Sequence, residues 1–184
     1  NFGRGALYAL VRLPDQGFFA VGEGQAKIEG THQWAAEKAL VIRVDAQGNP
    51  STQRIIPEFE AEGELTHGRL LAVDLMGATH AVSVGYTRSP APGSSLDGWI
   101  LKHALDGGQA VWKRQVGDAG DDKLRGVVSL NGQAIAVGTR DEAGKQEAWA
   151  VAVDTKGKVL WKRTYGGKRS LVAITRADRG LAAV

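Results

Sequence analysis

The 184-residue chain has no cysteine, one methionine and five prolines. Without cysteine it has no disulfides, no thiolate nucleophile and no cysteine-ligated zinc. Thiols can be absent from secreted and cytosolic chains alike, so the compartment stays open on this ground. No apolar run approaches the ~20 residues that a membrane-spanning helix needs. No G-x-S-x-G elbow, phosphate-cradling loop or dinucleotide fingerprint occurs, and the four histidines, His32, His67, His80 and His103, have no metal-ligand spacing. His32 and His67 fall on expected loops of one face and could approach each other there.

Hydrophobic residues make up 43% and charged residues 23%, enough for a packed core and too few charges for wholesale disorder. The formal charge is +3, a weak pointer to an anionic partner. The 25 glycines sit in a pattern that repeats. Val111-Trp112-Lys113-Arg114-Gln115-Val116-Gly117 returns about fifty residues later as Leu160-Trp161-Lys162-Arg163-Thr164-Tyr165-Gly166. Gly98-Trp99-Ile100-Leu101 returns as Ala148-Trp149-Ala150-Val151. A small-Val-Gly triplet occurs at Ala20-Val21-Gly22, Ser83-Val84-Gly85 and Ala136-Val137-Gly138, and Ala183-Val184 begins another. Hairpin corners precede the triplets at Asp15-Gln16-Gly17, Asn131-Gly132 and Asp178-Arg179-Gly180.

Between these markers apolar residues alternate with period two, which predicts strands over 6–13, 17–23, 38–45 and 51–57, then 69–76, 80–86, 98–105 and 110–116. A third set covers 124–130, 133–139, 148–154 and 159–165, and a fourth supplies only 170–177 and 180–184. Trp34–Leu40 is the one stretch with any helical character, and it is short. Four-stranded antiparallel units of this length predict an all-β chain, a β-propeller of about three and a half blades at 6–57, 69–116, 124–165 and 170–184. An open stack of blades is the alternative. The expectation is a partial ring, completed by a second copy or by a missing half to a total of seven blades.

From Gly117-Asp118-Ala119-Gly120-Asp121-Asp122, through Trp149-Ala150-Val151-Ala152-Val153-Asp154 and Gly157-Lys158-Val159-Leu160-Trp161, to Thr164-Tyr165-Gly166-Gly167, the chain resembles the secreted bacterial β-propeller repeats. More distantly it is similar to the quinoprotein repeats, from whose turn Asp154-Thr155-Lys156-Gly157 is one residue short. The resemblance implies a propeller fold and an extracytoplasmic location. It implies no single activity, because such repeats serve adhesins, sensors and enzyme scaffolds.

Trp99, Trp112, Trp149 and Trp161 are read as packing between blades. Gly22, Gly85 and Gly138 are read as places where crowding near the axis excludes a side chain. Lys113, Arg114, Lys162 and Arg163 would blunt an outer edge. A nucleic-acid partner is disfavoured, because no aromatic platform accompanies these cations.

Loop lengths separate two faces. Turns at 14–16, 131–132 and 178–179 are tight, whereas 24–37, 58–68, 87–97, 117–123 and 140–147 are long and mark the working face. Counted with Glu23 and 166–169, that face holds 14 of the 20 acids against seven bases, which suits a cationic partner and disfavours a phosphate backbone. Candidate binding residues are Glu58, Glu60, Glu62, Glu64, Asp97 and Arg140, and Asp118, Asp121 and Asp122 form a candidate calcium cluster, since calcium takes several carboxylate oxygens. No other cofactor is expected. Two functions follow: a non-catalytic module presenting this face to a protein, glycan or cation, or part of a propeller enzyme (hydrolase, lyase or quinoprotein-like) with its site at the central channel.

Overall fold

The computed structural model describes residues 2–26, 37–56, 67–88, 93–167, 170–178 and 180–184. Every regular element among them is a strand, and no helix is long and apolar enough to cross a membrane. The first sheet comprises β1 (Phe2–Arg12), β2 (Phe18–Ala26), β3 (Lys38–Val44) and β4 (Pro50–Ile56). The second comprises β5 (Gly68–Leu75), β6 (His80–Arg88), β7 (Leu96–Ala104) and β8 (Ala110–Val116). The third comprises β9 (Lys123–Leu130), β10 (Gln133–Glu142), β11 (Lys145–Asp154) and β12 (Val159–Tyr165), and β13 (Ile174–Ala177) pairs with β14 (Gly180–Ala183) in a two-stranded sheet. All pairings are antiparallel and join strands consecutive in sequence.

One difference from the sequence reading matters. Residues 140–147 are not a long loop. β10 and β11 run on through them to a tight Ala143-Gly144 turn, both residues having positive φ (53° and 78°) as a two-residue hairpin requires. Lys38–Leu40 is strand, as the expectation of a strand over 38–45 has it, and 34–36, the rest of the short stretch with helical character, lie outside the described residues. The tight corner at Asn131-Gly132 forms as expected, with φ of 51° and 75°.

The sheets stack face to face through two apolar layers. Phe19, Val21, Val41 and Ile56 of the first sheet meet Leu70, Trp99 and Leu101 of the second. Val82, Val84 and Ile100 of the second meet Leu124, Trp149 and Val151 of the third. Ala81, Trp99 and Leu101 therefore face one layer while Val82, Val84 and Ile100 face the other, so the second sheet is apolar on both faces. Trp99 and Trp149 pack between sheets as expected, and burying each indole contributes about 3 kcal/mol.

The first strand of each four-stranded sheet carries a bulge at an equivalent place, where Tyr8, Leu71 and Arg125 are the extra residues. This corrects the reason for the triplet glycines. A Cβ on Gly22, Gly85 or Gly138 would overlap the carbonyl oxygen of Ala6, Arg69 or Lys123, the backbone that the bulge pushes inward within the same sheet. Crowding between sheets is not the cause. The edge cations also do more than blunt an edge. Arg54 Nε donates to the Gly107 carbonyl at 3.0 Å, and Arg114 Nε donates to the Gly157 carbonyl at 2.8 Å. Trp112 Nε1 adds a bond to the Thr155 carbonyl at 2.9 Å. The first sheet thus clasps the turn between the third and fourth strands of the second, and the second clasps that of the third. The equivalent turns of the first and third sheets are braced from within: Asp45 accepts from the N–H of Gln47 and Asn49, and Asp154 from those of Lys156 and Lys158, which holds both carboxyls below the usual range.

Candidate functional site

The face bearing the longer connections is described in part. Glu58, Glu60, Glu62, Glu64 and His32 lie outside the described residues, as do Lys168 and Arg169. The remaining candidates, Asp97, Arg140, Asp118, Asp121 and Asp122, come together where the β6–β7 and β8–β9 connections meet β10.

Their geometry is that of a knot. Asp122 is fully buried (0% exposed), and its two oxygens accept from the N–H of Asp118 at 2.7 Å and of Asp141 at 3.1 Å. Its own N–H donates to the Leu96 carbonyl at 2.7 Å, while the Leu96 N–H donates to Asp121 Oδ1 at 2.9 Å. Arg140 pairs with Asp118 at 2.9 Å and Glu142 at 3.3 Å, and Gln115 donates to Asp97. Gly117 sits between the Asp97 and Asp122 carboxylates and leaves no room for a Cβ. Burial pushes the carboxyls of both Asp97 and Asp122 up. At Asp97 the Gln115 amide opposes burial while the charges of Asp118 and Asp121 reinforce it. At Asp122 the two backbone donors and Arg140 oppose it. These oxygens hold the loop together, and among the described residues no group of three or more histidine or acidic side chains is placed to hold a metal ion.

Next to the knot lies a polar pocket of about 600 Å³, lined by Ser94, Ser95, Asp121, Lys123, Arg125, Thr139, Asp141, Gln146 and Ser170. Two of its lining residues come from β9, where Lys123 opens the strand and Arg125 is the bulged residue. A bulge re-aims a side chain, which brings this cation to the pocket. Lys123 Nζ stands 5.5 Å from the centre of the Tyr86 ring. Along the same face, between the first and second sheets, Tyr8 donates to Glu23 at 2.7 Å, and Arg69 pairs with both Glu23 and Glu37. Burial, then the hydrogen bond and charge of Glu23, push the Tyr8 hydroxyl up to about 12.

The composition of these loops did not single out Lys123, Arg125, Gln146 or Tyr86 as site residues. Register finds them, because each occupies a fixed position relative to a triplet glycine. The opposite face has a cleft of about 410 Å³ between the first and second sheets, lined mainly by Leu13, Asp15, Arg43, Thr79, His80 and Asp106. Burial and then Lys102 push His80 down, against the pull of Asp106. Deeper in, Ser83 Oγ lies 2.6 Å from His103 Nε2, but both side chains are 0% exposed and no substrate reaches them.

No protein-family model matches the chain, and no curated protein matches it.

Proposed function

We propose that the chain is part of a β-propeller and works as a non-catalytic binding module, taking a protein or glycan ligand on its long-loop face. The observation that carries this reading is the polar pocket of about 600 Å³ beside a hydrogen-bonded acidic knot. A rigid scaffold with mixed hydroxyl, amide and charged groups around an open pocket suits recognition. The extracytoplasmic location follows the repeat resemblance. The propeller reading is supported by three sheets of one topology with the same bulge and by the clasp of β4 and β8 on the turn of the following sheet.

The same clasp supports a further blade as the structural partner. Trp161 and Arg163 occupy the positions of Trp112 and Arg114. Trp161 lines an apolar groove of about 630 Å³ with Ile135, Val137, Ala150, Leu171 and Leu181.

The test is a screen of the chain against oligosaccharide and peptide arrays, repeated with the double variant Asp141→Asn/Gln146→Ala. Ligands that lose binding in the double variant support the assignment. Ligands retained at full affinity place recognition elsewhere and refute it.

A further inference from the structure

The pocket's ligand class can be read from which charges along this face are already satisfied. Ala6, Arg69 and Lys123 are equivalent residues, each beside the bulge opposite a triplet glycine. Arg69 is neutralised by the preceding sheet, through Glu23 after the glycine and Glu37 before β3. At those two register positions the second sheet offers Tyr86 and Leu96 to Lys123. Lys123 thus meets an aromatic ring where Arg69 meets two carboxylates.

Among the described residues no carboxylate forms an ion pair with Lys123 or with the exposed Arg125. Two cations with no ion pair among the described residues therefore stand two residues apart in the pocket lining. The acids at the rim are partly spent, since Asp121 Oδ1 accepts from Leu96 N–H at 2.9 Å and Asp141 Oδ1 from Gly144 N–H at 2.8 Å. Their remaining lone pairs, with the Gln146 amide, are acceptors for hydroxyl groups. A pair of cations and a hydroxyl-accepting rim together describe one kind of molecule.

We propose that the pocket binds an acidic saccharide of the uronate type, its carboxylate on Lys123 and Arg125 and its hydroxyls on Asp121, Asp141 and Gln146. Guanidinium and ammonium donors to a carboxylate make charge-assisted bonds, roughly twice as strong as neutral ones. A polyphosphate is disfavoured, because the described residues around the pocket include the acids Asp97, Asp118, Asp121, Asp122, Asp141, Glu142 and Glu147. This inference rests on the proposed reading of the loop face as the binding surface.

The experiment is an amide-shift titration of the isotopically labelled chain with trigalacturonate, and with its fully methyl-esterified form, which keeps the hydroxyls and loses the charge. Trigalacturonate is expected to shift the amides of 123–125 and 141–146. Esterification, Lys123→Gln or Arg125→Gln should each weaken binding about tenfold, with the unfolding midpoints of both variants unchanged. Equal binding of acid and ester at these amides would overturn the carboxylate subsite and leave the loop-face reading standing. No shift at about 10 mM, well above a weak millimolar Kd, would overturn the uronate class outright. The array screen then judges the loop-face reading separately.

Discussion

His103 gives the most quantitative prediction. It lies between the first and second sheets, with its ring centre 5.6 Å from that of Phe19 and its Nε2 bonded to Ser83 Oγ. Burial drives its pKa from 6.5 down to about 4, against a weaker opposing pull from the Gly108 backbone. The unfolded chain therefore binds a proton at higher pH than the folded one does. The resulting stability is fully present above pH 6.5 and is lost as pH falls from 6.5 towards 4. At about 1.4 kcal/mol per pH unit the whole step is worth about 3 kcal/mol, of which about 2 kcal/mol has gone by pH 5. Asp97 and Asp122 work in the opposite sense, because their raised carboxyls favour the folded state as pH falls.

A paired substitution separates the two effects. The third sheet places Ala136 and Val153 where the second has Ser83 and His103, so Ser83→Ala/His103→Val imports a solution the chain already uses. Replacing both hydrogen-bond partners together leaves no orphaned polar group. Urea unfolding followed by tryptophan fluorescence at pH 7, 6 and 5 should show the parent losing about 2 kcal/mol more than the double variant by pH 5. Parallel pH dependence in the two proteins would refute the burial argument.

Four other perturbations test separate parts of the account. Gly138→Ala should cost about 3 kcal/mol in urea unfolding, because its Cβ would overlap the Lys123 carbonyl at the bulge. Arg69→Gln should cost roughly 2 kcal/mol by leaving Glu23 and Glu37 without their cation, while Lys123→Gln at the equivalent position should leave the midpoint unchanged. Trp112→Phe should cost about 1 kcal/mol, the worth of its bond to the Thr155 carbonyl, measured by thermal unfolding. Asp122→Ala should destabilise by about 2 kcal/mol, since it strips acceptors from the N–H groups of Asp118 and Asp141, and added calcium should not restore the loss.

Much of the fold was legible because the repeat writes the same physics three times. Period-two alternation placed β8 at Ala110–Val116 and β12 at Val159–Tyr165, and Asn131-Gly132 announced its turn. The extension of β10 and β11 to Ala143-Gly144 was hidden because Arg140, Asp141, Glu142 and Lys145 are polar on both sides of the strand, and alternation disappears there. The triplet glycines were visible, but their cause was not, since a bulge leaves no mark in composition. The acidic cluster at Asp118, Asp121 and Asp122 was found as a group. Its role as a hydrogen-bonded knot depends on backbone N–H groups, which residue letters do not show. Lys123 and Arg125 have the composition of ordinary surface cations, and only register sets Lys123 at the position of Arg69, whose partners it lacks, and Arg125 at the bulge.

The central claim is that recognition occurs on the loop face, beside the third sheet's bulge. The direct measurement is a map of backbone amides perturbed by the tightest ligand from the array screen. Shifts are predicted at 93–95, 119–125 and 139–146, which surround the polar pocket. Shifts confined to 13–15, 78–80 and 104–106 would place recognition in the cleft on the opposite face and contradict the account.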